Sequence, residues 1–206
     1  MLGSTGFDLW ADGYDASVGL SDEENTYPFA GYKKALGEIY GILRDKQARS
    51  VLDVGCGTGV LGAKLCAAGL DVTGIDFSDK MLKIARERMP EARLIRWDFA
   101  KGLPEDVKAG KYDAVVCTYA MHHLPDDQKG MLLREMTKCV HSGGLILVGD
   151  IAFETAADRE DCRASAAGWD EDEFYMAMDE MNDYMVGSAY SYYQVSMCAG
   201  VLVTVV

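Results

Sequence analysis

Positive charge is scarce in this chain: 20 Lys and Arg stand against 33 Asp and Glu, for a formal net charge of −13 over 206 residues. Affinity for phosphate backbones rests mostly on Lys and Arg, so this balance argues against a nucleic acid acceptor and leaves a small molecule or a protein. Nowhere do eighteen apolar residues run consecutively, and Met1 to Gly13 has neither a basic region nor a long apolar core. No membrane span or secretion signal is therefore expected, and the chain is expected in the cytoplasm. Histidine is limited to three residues, and the six cysteines (Cys56, Cys66, Cys117, Cys139, Cys162, Cys198) include no C-x-x-C pair. With His122 and His123 adjacent and no cysteine pair near them at ligand spacing, no metal is expected, and the thiols read as reduced and mostly buried.

What the chain does have is apolar content, 49% of its residues, enough to fill one sizeable core. From Val51 to Ile151 strand and helix patterns alternate with short connections, which predicts a parallel sheet covered on both faces. Strands are expected from Val51 up to the glycine turn, at Asp71 to Asp76, Arg93 to Trp97, Tyr112 to Thr118 and Leu145 to Ile151, and Ser191 to Val206 reads as two more around Gly200. Gly69 is expected to close the helix after the first strand, and Ser78 to cap the helix after the second. Residues 1–49 read as two helices, around Phe7 to Val18 and Ala30 to Leu43. The acidic stretch after Phe153 is expected to hold a helix with Phe174, Met178, Met181 and Met185 on one face. Monomer and homodimer both remain open, with Gly200 to Val206 read as a buried last strand in preference to an apolar edge.

The most informative stretch is Val51 to Gly59, V-L-D-V-G-C-G-T-G, an apolar strand that ends in an acid and breaks into glycines at alternate positions. Such a turn requires backbone angles closed to other residues and lets a ligand lie against the main chain. Asp53, two residues before the first glycine, would repel a pyrophosphate and attract a ligand that carries an ammonium group. The rival reading is a dinucleotide site, because Gly57, Gly59 and Gly62 also spell G-x-G-x-x-G and Asp76 lies at a suitable distance. Asp53, Gly55 and Asp98 are features that a nicotinamide site does not require.

This turn resembles motif I of the class I S-adenosylmethionine (AdoMet) dependent methyltransferases. The resemblance extends to Phe7, Asp8, Trp10, Ala11, Tyr14 and Asp15, to Gly74 through Ser78, to Asp98, to Tyr119 through Leu124 (Y-A-M-H-H-L) and to Gly143 and Gly144. In layout the chain is similar to the YrrT-type methyltransferases of Gram-positive bacteria. It implies a Rossmann-like, doubly wound α/β fold with a mostly parallel seven-stranded sheet, AdoMet as cofactor and a single methyltransferase domain. That domain would comprise a helical lid (1–49), a cofactor core (50–151) and an acidic helical segment with the last two strands (152–206).

The resemblance also assigns roles. Gly55, Cys56, Gly57 and Gly59 with Asp53 would hold the amino acid end of AdoMet, and Asp76 the ribose hydroxyls through its two carboxylate oxygens. Asp98 would accept from the adenine amino group. Phe77, Met81 and Phe99 would contact the ring or serve the core. Thr118 would line the cofactor with its backbone, and Tyr14 and Trp10 would close over the methionine end or simply pack. Methyl transfer from a sulfonium needs alignment more than a covalent residue, and positioning alone contributes roughly 7 to 11 kcal/mol. Where the acceptor must lose a proton, His122 and His123 are the candidate catalytic bases, beside a structural role for at least one of them. Acceptor specificity is expected from Tyr27, Phe29 and Tyr32 and from Trp169, Phe174 and Tyr175, whose faces among carboxylates suit a cationic amine. The alternatives are an NAD-dependent oxidoreductase and a non-catalytic protein that binds AdoMet or S-adenosylhomocysteine (SAH).

Overall fold

The computed structural model describes residues 15–185 and 189–206. Trp10 and Tyr14 lie outside the described residues. β1 (Ser50–Val54) pairs in parallel with β2 (Asp71–Asp76) and β4 (Tyr112–Thr118). β3 (Arg93–Arg96) pairs with β2, and β5 (Val140–Phe153) with β4, also in parallel. β8 (Ala199–Val205) inserts antiparallel between β5 and β7 (Tyr190–Gln194), so the strand order is β3-β2-β1-β4-β5-β8-β7. The expected mostly parallel seven-stranded path is present, and a two-residue strand β6 (Met176–Ala177) adds to β5 beside it.

Strand periodicity explains the two covered faces, because successive side chains point to opposite sides of a sheet. Val51, Ala114, Val116, Leu145, Leu147 and Val201 share one apolar cluster with helices α2 (Tyr32–Asp45), α3 (Val60–Ala67) and α4 (Asp79–Arg88). Their neighbours Leu52, Val115, Cys117, Ile146, Val148 and Leu202 share the other with α5 (Glu105–Lys108), α6 (Asp126–Cys139) and α8 (Met178–Met181). Buried anchors such as Ile39 and Leu43 in α2 each stabilise this packing by about 1.5–3 kcal/mol. Ser78 caps α4 by accepting from the Met81 N–H, an interaction of about 1 kcal/mol. Gly69 closes the turn after α3 with a φ of 88°. All six cysteines are free thiols.

Three local expectations are corrected. The turn between the last two strands lies at residues 195–198, and Gly200 sits inside β8, where a Cβ would fall 2.1 Å from the Tyr192 hydroxyl; the glycine is there for packing. The acidic segment forms α7 (Ala156–Ser165), opened by a Thr155–Asp158 capping box, and only one helical turn at α8, so Phe174 and Met178 do not share a long helix. At the amino end, residues 15–23 are helical (α1), five residues beyond Val18. β8 lies in the sheet interior with Ala199 to Leu202 buried, while Val205 and Val206 at the end of the run are 57% and 39% exposed.

Replacing Gly200 with Ala is expected to cost about 1–3 kcal/mol in urea unfolding by overpacking against Tyr192. The additional cost shrinks in a Tyr192→Ala background, and an additive double-mutant cycle would refute that contact as the cause.

Candidate active site

The carboxyl ends of β1, β2 and β4 surround a cavity of about 380 Å³. Its floor is the glycine turn, and the glycines there do different things. A Cβ on Gly55 would lie 2.5 Å from the Ala120 Cβ, one on Gly59 2.9 Å from the Met89 Cε, and one on Gly62 2.6 Å from the Met89 Sδ. These three admit neighbouring elements. Gly57, at φ 54°, faces open space at the cavity wall, with nothing within 4 Å of its would-be Cβ. It is the glycine a ligand can lie against.

Beside Gly57, the Asp76 carboxylate accepts the Gly57 N–H at 2.9 Å and the Ser78 N–H at 2.9 Å and forms part of the cavity wall. Asp53 shares the strand phase of Val51, which turns it under α3 toward Gly62, where no side chain competes for the space. It is 1% exposed, and its Oδ1 has no hydrogen-bond partner among the described residues. Burial, and then the charge of Asp76, push the Asp53 carboxyl up to about 7. Asp53 is not among the cavity-lining residues; it acts on the site as a charge behind the turn. This arrangement fits AdoMet: an open glycine wall, a ribose-type carboxylate held by backbone, and an unpartnered acid behind them for an ammonium.

At the other end of the cavity lie two acid–imidazole pairs. Asp150, fully buried on β5, accepts from the N–H groups of Met121 (2.9 Å), His122 (3.1 Å) and Ile151 (2.8 Å), and its Oδ1 lies 2.5 Å from His122 Nδ1. Burial alone would raise Asp150, but the charge and hydrogen bond of His122 outweigh it and hold the carboxyl below its ordinary range. Burial likewise opposes the His122 cation, yet Asp150 prevails and its pKa rises. His123 behaves oppositely: burial and the His122 charge lower its pKa, although its Nδ1 lies 2.8 and 3.0 Å from the Glu173 carboxylate oxygens. Glu173 itself is held low, the bond and charge of His123 outweighing its burial. Buried Lys129 positions this segment by bonding Asp126 at 2.6 Å and the Phe174 carbonyl, while the Phe174 N–H donates to the His122 carbonyl at 2.8 Å.

Aromatic side chains close the wall. Tyr27 stacks on Trp169 with centroids 5.1 Å apart and bonds the Tyr175 hydroxyl, and Tyr32 lies 4.7 Å from Tyr119. Tyr119 has a φ of 49°, 5% exposure and a hydroxyl with no partner among the described residues. Left-handed backbone at a non-glycine residue costs on the order of 1–3 kcal/mol, and an unpaired buried hydroxyl about 1–3 kcal/mol more, a combination concentrated at functional sites.

Of the candidate residues, Gly55, Cys56, Gly57, Asp76, Phe77, Met81, Phe99, Thr118, His122 and His123 line one cavity. Asp53 and Gly59 support the turn from behind. Asp98 is not among the lining residues, and its carboxylate is engaged by the Ala100 N–H at 3.1 Å and by Lys101 at 3.2 Å. Of the specificity candidates, Tyr27, Phe29, Tyr32 and Tyr175 line the cavity, Trp169 backs Tyr27, and Phe174 is 41% exposed with Lys129 over its ring. Sequence reasoning missed Asp150, Glu173, Lys129 and Tyr119. An acid inside the apolar run of β5 was a signal for Asp150; Glu173 had none within an acidic segment. The adjacency argument against a metal does not hold as made, since Glu173 brings a third ligand-type group and the ligand atoms of His122, His123 and Glu173 lie within 4.8 Å of one another.

Asp53 generates a stability prediction. Its folded pKa lies above its ordinary 3.8, so the folded state holds a proton that the unfolded chain has lost between about pH 4 and 7. Stability from this group is therefore full below pH 4 and falls as pH rises to about 7, by up to about 4 kcal/mol. Urea unfolding of Asp53→Asn is expected to lack that decline, and parallel pH profiles for the two proteins would refute the shift.

Comparison with known proteins agrees with this geometry. A profile described as a methyltransferase domain matches residues 51–144. An uncharacterized methyltransferase of Geobacillus thermodenitrificans is 34% identical over 195 residues, covering 90% of this chain and 87% of that protein. Among solved structures, an S-adenosylmethionine-dependent methyltransferase from Clostridium acetobutylicum has a TM-score of 0.72 at 13% identity, covering 94% of this chain and 98% of that one. The DhpI–SAH complex has a TM-score of 0.72 at 18% identity, covering 98% and 93%. No described helix is long and apolar enough to cross a membrane. With a relative above 30% identity along nearly the whole length and the strand order and glycine turn in place, the chain belongs to the methyltransferase family.

Proposed function

We propose that this protein transfers a methyl group from AdoMet to a small protic molecule that enters beside His122, His123 and Glu173. The observation that carries the reading is the open wall at Gly57 flanked by Asp76 and backed by Asp53, whose Oδ1 has no partner among the described residues. Asp76 would accept from the ribose hydroxyls, Phe77, Met81 and Phe99 would border the adenine, and Asp98 would reach its amino group by giving up Lys101. Thr118 and the Gly55–Gly57 turn, with Cys56, would line the methionine end. Bound there, AdoMet supplies a methyl group on a sulfonium whose positive charge is lost in transfer.

The chain's own contribution is alignment and a proton acceptor. Two adjacent imidazoles whose surroundings push their pKa values apart divide the labour. His122, held by Asp150, is the fixed cation, and His123, kept neutral, is the base, with Nδ1 oriented by Glu173 and proton exchange left to Nε2. Each imidazole Nδ1 faces a carboxylate, and we read the cluster as two hydrogen-bonded pairs without a metal. The lid (1–49), core (50–151) and acidic segment (152–206) work as one domain, in the cytoplasm, as monomer or homodimer. The acidic charge disfavours nucleic acid as acceptor.

Calorimetry with SAH tests the cofactor site. Asp76→Asn is expected to weaken binding at least tenfold, and unchanged affinity would remove Asp76 from the ribose role. Binding at pH 7 is expected to release part of a proton as a bound ammonium favours the ionised Asp53, seen by repeating the titration in buffers of different ionisation enthalpy and absent in Asp53→Asn. Time-dependent SAH formation from AdoMet separates an enzyme from a binder. With a protic acceptor the rate is expected to fall as His123 protonates on acidification, at a lower pH than an ordinary imidazole would because its pKa is lowered, to fall at least a hundredfold in His123→Gln, and to persist in EDTA. Full turnover in His123→Gln would exclude it as base, and loss of turnover on chelation would reinstate a metal.

A further inference from the structure

We propose that the acceptor end of the cavity is a binding site for an organic amine carried on a flat apolar group, held by Glu173, the Tyr119 hydroxyl and the faces of Tyr27 and Tyr175. The proposal rests on the methyltransferase reading and names the substrate class for it. Three independent features converge.

The first is charge. Among the described residues that line the cavity there is no Lys or Arg, while Glu173 and Asp170 are both at the acceptor end. An anionic acceptor would meet two carboxylates, and the His122 cation beside them is already neutralised by its pairing with Asp150 at 2.5 Å, whereas an ammonium would meet an attractive field in a partly desolvated site. The second is the Tyr119 hydroxyl, buried in the wall with no partner among the described residues. Burial pushes its pKa well up, so it stays a neutral phenol whose oxygen can accept an N–H. The third is the aromatic wall: Tyr27 and Tyr175 meet edge to face with centroids 5.9 Å apart, and Trp169 backs both. Such faces attract a cation and pack a flat ring.

The proton inventory closes. The ammonium gives one proton to Nε2 of His123; the freed nitrogen lone pair forms the N–CH3 bond while the pair of the breaking C–S bond returns to sulfur. The products are an N-methylammonium, a thioether and the proton on His123, which passes to solvent.

The test uses phenethylamine, with 3-phenylpropionate and 2-phenylethanol as anionic and neutral counterparts, titrated into the protein by calorimetry with and without SAH. Phenethylamine is expected to bind at least tenfold more tightly than either counterpart. Glu173→Gln is expected to remove that preference, and Tyr119→Phe to weaken amine binding severalfold, both leaving SAH affinity unchanged. With AdoMet, SAH is expected to form at least ten times faster with the amine than with the carboxylate. Binding or turnover of the carboxylate equal to or above the amine, or a preference that survives Glu173→Gln, overturns the amine assignment. Failure of SAH to bind, with the amine preference intact, overturns the methyltransferase reading of the site instead.

Discussion

The close approach of neighbouring side chains to the glycine backbone around the turn is the constraint on which the rest of the site depends. Gly55 meets Ala120, Gly59 and Gly62 meet Met89, and Gly74 meets Cys56, each at a distance where a Cβ would force a shift. Because interiors are close-packed and poorly compressible, these contacts fix the ends of β1, β2 and β4 relative to one another. Two consequences follow. Gly57 is left facing the cavity, and the chain leaving β4 must turn sharply at Tyr119, whose φ of 49° and bond to the Gly149 carbonyl at 2.8 Å are the result. That turn delivers the Tyr119 ring to the cavity and brings His122 and His123 to the rim.

Two buried carboxylates show how local bonding decides what a charge is for. Asp53 and Asp150 are both about fully buried, so desolvation acts on each in the same direction. Asp150 receives three backbone N–H groups and an imidazole and stays ionised; Asp53 has an oxygen without a partner and is pushed up to about 7. A satisfied buried anion is a fixture that holds another group in place. An unsatisfied one is a reserve of interaction that a cationic ligand can draw on.

The strands, their mostly parallel character and the motif turn were legible because they obey short-range rules: alternation, glycine at special backbone angles, and serine at a helix start. The acidic segment was not, since Phe174, Met178, Met181 and Met185 fit a helical period while the chain there adds β6 to the β5 edge and buries Met176 and Met178 against the sheet. Tertiary pairing overrode local preference. Asp53 was legible as an acid of consequence, but its position behind the turn follows from strand phase and from the missing side chain at Gly62. Glu173 and Lys129 were invisible for a different reason. They meet His123 and the Phe174 carbonyl across 50 and 45 residues of chain, and no local pattern reports such a meeting.

Those long connections explain why the end of the cavity proposed for the acceptor differs in kind from the end proposed for the cofactor. Most of the cofactor wall comes from loops that leave adjacent strands and is built into the sheet. The wall at that proposed acceptor end is assembled from two distant pieces of chain: Tyr27 and Tyr32 before β1, and Asp170, Glu173 and Tyr175 after β5. They are joined by the Tyr27–Tyr175 hydroxyl bond, by the Asp170 N–H donating to Tyr27 at 3.0 Å, and by the stack of Tyr27 on Trp169. At the amino end, Arg88 bonds Asp15 and donates to the Thr58 hydroxyl at 2.9 Å, tying α1 to the glycine turn. The segment that supplies Tyr27 is therefore anchored to the cofactor loop at one end and to the acidic segment at the other. Neither segment forms that wall alone, so under the proposed function the acceptor's shape would be read jointly by both, while the sheet would set where the methyl group is presented.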